Sequence, residues 1–66
     1  GPEGPVSVMI LDVGGRLVLD LGTFGPESPI RWDRTDAAGQ RVAPGLYFVR
    51  ARASGASASA RVILVD

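Results

Sequence analysis

The sequence predicts an all-β chain, a small antiparallel sandwich of about six short strands, and three observations carry that expectation. Apolar, β-branched runs of three to eight residues recur between turn signals. The turn signals are Gly and Pro pairs or Asp-x-x-Gly. No segment keeps a 3.6-residue apolar period over a useful length.

Residues 6–13, VSVMILDV, are apolar on both faces, which suits a strand covered on at least one side. Gly14-Gly15 tolerates positive φ at both positions and is expected to turn the chain directly into a second strand over residues 16–21. Gly22 to Pro29 carries two glycines and two prolines and reads as a surface connection crossing between sheets, with Phe24 plugging one end of the core. Residues 30–32 form a short third strand ending at Trp32. Asp36-Ala37-Ala38-Gly39 has the chemistry of a type I turn closing on a left-handed glycine, residues 41–43 a minor fourth strand, and Pro44-Gly45 a type II turn. Residues 46–53 and 58–65 are the fifth and sixth strands, joined around Ser54-Gly55. In the fifth, Tyr47, Val49, Ala51 and Ala53 share one face, while Arg50 and Arg52 mark the other as the watered one. Tyr47 therefore points inward, and its hydroxyl is expected to reach a backbone group near the Asp36 turn.

Length bounds the chain to one domain over residues 1–66, with residues 1–5 a flexible lead; Gly1-Pro2 reads as a protease scar, the native piece then starting at Glu3. A chain of 66 residues buries only about 60% of its unfolded surface, so small all-β chains of this size usually need a staple or a neighbour. Cysteine is absent, so there is no disulfide, and histidine is absent too, so a zinc site would need carboxylates alone. Seven acidic residues balance seven basic ones, which gives no sequence-wide pull toward nucleic acid or an anionic membrane. Every basic residue is arginine, read as codon usage of a GC-rich genome. No apolar run approaches the roughly 20 residues that span a bilayer.

The search for chemistry is mostly negative. The usual general base and the strongest nucleophile are missing, and Ser7, Ser28, Ser54, Ser57 and Ser59 have no evident activating partner, so no enzyme is expected. Asp33 and Asp36 are the one close carboxylate pair and a weak candidate for calcium; the stronger reading is that aspartate at a turn accepts neighbouring backbone N–H groups, and Asp12 before Gly14-Gly15 has the same role. No catalytic residue, cofactor or metal is assigned. Arg31, Arg34, Arg41, Arg50 and Arg52, with Phe48 beside them, read as a solvated face rather than a nucleic-acid stripe.

Three motifs in order carry a resemblance. Ile10, Leu11, Asp12, Gly15, Arg16 and Val18 match an I-y-D-x-x-G-r-x-V pattern, with Leu11 in place of tyrosine. Trp32, Asp33, Asp36 and Gly39 match W-D-G-x-D-x-x-G, with Arg34 where glycine is common, a position at which positive φ costs an arginine. Gly45, Tyr47, Phe48 and Arg50 match G-x-Y-f-x-r. Together they resemble the bacterial Ig-like modules of flagellar hook-capping proteins and of the C-terminal sorting domains of type IX secreted proteins. The resemblance implies an Ig-like or fibronectin-III-like sandwich whose motif residues are structural, and an exported protein acting at the cell surface or outside the cell. Members normally begin with one more strand, so a strand is missing at the start, supplied either in cis upstream or in trans by another chain. The expected function is a protein-interaction module, foremost a C-terminal sorting or attachment domain; the alternatives are an Ig-like subunit assembling by strand complementation and a carbohydrate-binding accessory module using Phe24, Trp32 and Phe48. Its expected partners are proteins: secretion machinery, a cell-surface partner or like subunits, with a homo-oligomer or strand donation from another chain.

Overall fold

The computed structural model describes residues 5–25 and 29–65. They form four strands and no helix: β1 (Val6–Leu11), β2 (Leu17–Phe24), β3 (Gly45–Ala53) and β4 (Ala56–Leu64). All pairings are antiparallel in one open sheet ordered β2-β1-β3-β4. The all-β expectation holds at this level.

The most apolar strand takes a central place. β1 is flanked on both sides, and Val8 and Ile10, at 0% and 1% exposure, are its inward residues. Register puts Ile10 opposite Val49 and Val8 opposite Ala51, so the inner face continues through β3 as Tyr47, Val49, Ala51 and Ala53. It crosses to β4 at Val62, Ala60, Ala58 and Ala56. Arg50 and Arg52 lie on the outer face and are exposed, and Tyr47 is buried, all as expected.

The β1–β2 ladder is irregular. Met9 faces Asp20 while Val8 faces Gly22, and Ile10 faces Leu19 while Leu11 faces Leu17, which leaves Leu21 and Val18 as extra residues on β2. A bulge lets neighbouring residues share a face, and Val18, Leu19 and Leu21 all pack against the core.

Residues 29–44 make an arm rather than a second sheet. Residues 30–32 pair with nothing as a strand, and Arg41 makes only an isolated bridge to Thr35. The third and fourth expected strands are thus replaced by irregular chain whose Trp32 and Val42 lie on Ile10, Tyr47 and Leu64. The reason is local: the stretch is held by turn bonds and two aromatic rings, leaving no run of backbone long enough to build a ladder.

Smaller corrections follow the same logic. The β1–β2 loop spans Asp12 to Arg16 rather than two glycines, with positive φ at Gly15 alone. Phe24 ends β2 opposite Val6 instead of sitting in a loop. Gly45 has φ of 150°, far from the roughly +80° of a type II turn, and opens β3 directly. The last strand begins at Ala56. Residues 1–4 of the expected lead and residues 26–28 of the expected crossing lie outside the described residues. β1 offers no free edge, because β2 and β3 flank it.

Candidate interaction surface

Two copies of one turn position the motif residues. In the first, Gly15 N–H donates to Asp12 O at 3.0 Å and Asp12 N–H to Arg16 O at 2.9 Å. Asp12 Oδ1 accepts from Gly14 and Arg16 N–H, both at 2.9 Å. In the second, Gly39 N–H donates to Asp36 O at 3.0 Å and Asp36 N–H to Gln40 O at 2.8 Å, while Asp36 Oδ1 accepts from Ala38 at 2.9 Å and Gln40 at 3.0 Å. Gly15 at φ 83° and Gly39 at φ 81° supply the left-handed residue that closes each turn. Asp-x-x-Gly is thus one device used twice, and the type I reading of the Asp36 turn is met by its geometry.

The second turn is anchored on both sides. Ala37 N–H donates to Val18 O on β2 at 3.2 Å, and Val42 N–H to Arg34 O at 2.8 Å. Trp32 Nε1 donates to Thr35 O at 2.8 Å, and its ring meets Tyr47 edge-on, 5.5 Å between centroids at 70°. Tyr47 hydroxyl donates to Ala43 O at 2.7 Å, on the returning limb of the arm rather than in the Asp36 turn itself. Arg34 stands at φ 66°, the one non-glycine residue with positive φ among the described residues, and its Nη1 reaches Val65 O at 3.4 Å. Arginine thus occupies a left-handed backbone position that glycine would fill without strain.

These contacts give the motif residues structural work. Asp33 Oδ1 accepts from Thr35 Oγ1 and Asp36 Oδ1 from two amides, so both are used within their own turn. No group of three or more His, Cys, Asp or Glu side chains gathers to hold a metal ion among the described residues. The arginines do not form one stripe: Arg50 and Arg52 stand on the outer sheet face, whereas Arg31, Arg34 and Arg41 belong to the arm over the inner face. The three aromatic candidates are also apart. Trp32 is in the arm–sheet layer, Phe48 on the outer face, and Phe24 at the far end of β2.

What the sheet leaves uncovered is the more informative surface. The arm packs on the inner face around Ile10, Tyr47 and Leu64, and Val8 on β1 is fully buried too, whereas Ala56, Ala58 and Ala60 on β4 are exposed. β4 pairs with β3 over nine positions without a register shift, and among the described residues no strand pairs with its other side. Ile63 and Val65 are 72% and 68% exposed at its end. Sequence reading placed this strand but not its edge position. The available signal was the Ala-Ser-Ala-Ser-Ala run, whose small side chains suit a strand that no second layer covers.

Comparison with models of protein families, with curated proteins and with solved structures found no match in any of the three. The likeness to hook-capping and sorting modules rests on the three sequence motifs alone.

Proposed function

We propose that this chain is a non-enzymatic protein-interaction module of an exported bacterial protein, working at the cell surface or outside the cell, where it attaches or sorts the polypeptide that carries it. The observation that carries the reading is the regular edge of β4, which no described residue pairs with and whose alanines are exposed. An extended partner strand placed there gains main-chain hydrogen bonds from a preformed template, and alternate side chains give it specificity. The Asp-x-x-Gly turns, Trp32 and Tyr47 support this role indirectly by fixing the arm over Ile10, Tyr47 and Leu64, away from the exposed alanines of β4.

The Ig-like assignment belongs to the same proposal. The arm lies on the side where a sandwich would place its second sheet, and the Trp32–Tyr47 pair fills the layer between. The choice of sorting over scaffold draws on the motif resemblance. It is tested by joining residues 1–66 to an exported reporter in a bacterium that has type IX secretion and measuring the cell-bound fraction. Surface retention that disappears without the module supports the reading; identical distribution with and without it rejects sorting and attachment.

A further inference from the structure

We infer that the β4 edge pairs with the β4 edge of a second copy of this chain, antiparallel about a two-fold axis at Ala60. This rests on the interaction reading above and names its partner.

The two edges of the sheet are not equivalent. β2 is interrupted by two register shifts and already accepts the Ala37 N–H at Val18 O, devices that blunt an edge. β4 has no shift, no proline and one charge, Arg61, in nine residues. Its free groups follow from the hairpin. A two-residue loop closes on Ala53 and Ala56 as a hydrogen-bonded pair, so bonding to β3 recurs at Ala58, Ala60, Val62 and Leu64. The N–H and C=O groups of Ser57, Ser59, Arg61 and Ile63 therefore point away from the sheet.

Size and charge select the register. The first half of β4 is Ala and Ser, and the second half carries Arg61, Val62, Ile63 and Leu64. An antiparallel two-fold sets each bulky half beside the small half of the other copy. Centred on Ala60, the whole strand overlaps: Ser59 meets Arg61, Ser57 meets Ile63, and roughly eight ladder bonds form. Val62 and Leu64 then lie beside Ala58 and Ala56 on the inner face. Centring on Arg61 would oppose two arginines, and centring on Ser59 would leave Ile63 and Leu64 without strand partners.

The test is sedimentation equilibrium from micromolar to millimolar chain with circular dichroism, together with two cysteine variants of this cysteine-free protein. Ser59→Pro removes an edge-facing donor and no bond to β3. In Ala60→Cys, the two thiols face each other at a Cα separation of about 4.5 Å, within disulfide reach. In Ala58→Cys they stand about 13 Å apart. We expect mass rising toward twice 6.9 kDa, association weakened at least about tenfold by Ser59→Pro, and disulfide dimers from Ala60→Cys but not Ala58→Cys. A monomer throughout, with no dimer of Ala60→Cys on oxidation, overturns the second copy as partner while leaving surface delivery of the reporter to judge the interaction reading. A dimer indifferent to Ser59→Pro, or one trapped by Ala58→Cys alone, overturns the edge or the register. Should Ser59→Pro fail to fold, the cysteine pair still decides.

Discussion

At Arg34 the backbone holds φ of 66°, where an L side chain meets the following carbonyl and typically loses about 1–2 kcal/mol. Arg34 is tolerated because Val42 N–H binds its carbonyl, the Asp36 turn follows at once, and its own guanidinium reaches Val65 O. Arg34→Val adds β-branching to the same conformation and is expected to lower stability by about 1–2 kcal/mol, read as a lower urea midpoint at unchanged slope. Arg34→Gly relieves the strain but adds freedom to the unfolded chain, so its stability should stay within about 0.5 kcal/mol of the parent. The aspartates give a parallel test. Asp36 Oδ1 accepts two amides in a turn that also seats the arm on β2, so Asp36→Ala should cost about 1–2 kcal/mol. Tyr47→Phe should cost about 1 kcal/mol, since it leaves the Ala43 carbonyl without its donor while keeping the ring against Trp32. A Tyr47→Phe change without loss of stability would mean that water replaces the hydroxyl.

Elements built from local chemistry were legible in the sequence, and those that depend on a distant neighbour were not. Asp-x-x-Gly dictates its own turn, because the accepting carboxylate, the left-handed glycine and the donating amides lie within five residues, and the Asp36 turn is legible from those parts. β3 was read correctly from alternation, since Arg50 and Arg52 identify one face and Tyr47 the other. Residues 30–32 have strand composition too, yet the ladder partner they would need is absent, and Trp32 is held instead by Thr35 O. The sheet order was not legible either, because a central place for β1 is decided by which strands close on it. The same reasoning yields a measurable property of β4. Amides of Ala58, Ala60 and Val62 donate to β3, while those of Ser57, Ser59 and Arg61 face the edge, so hydrogen exchange on dilute protein should alternate along the strand. Protection of the edge amides that appears only at high concentration would report edge pairing at individual residues, whereas uniform fast exchange would mean that β4 frays as a unit.

The molecule as a whole is open for its size. Its radius of gyration is 12.1 Å against about 10.8 Å for a compact chain of this length, and its extents are 35 × 20 × 18 Å. The buried hydrophobic core among the described residues consists of Val8, Ile10, Tyr47 and Leu64. So few buried side chains, with no disulfide to constrain the unfolded chain, place the monomer near the margin at which a partner decides whether it stays folded. If a second copy supplies that partner, folding and association are linked, and the midpoint of thermal unfolding must depend on concentration. For a two-state dimer a hundredfold rise in concentration adds about 1.4 kcal/mol per chain, which for a domain of this size raises Tm by roughly 5–10 °C. Ser59→Pro should flatten that dependence, since it acts on the edge and spares the bonds to β3. A Tm that is constant over the same range in the parent chain would mean that the four-residue core and its arm suffice alone, and that the bare edge serves a partner other than this chain.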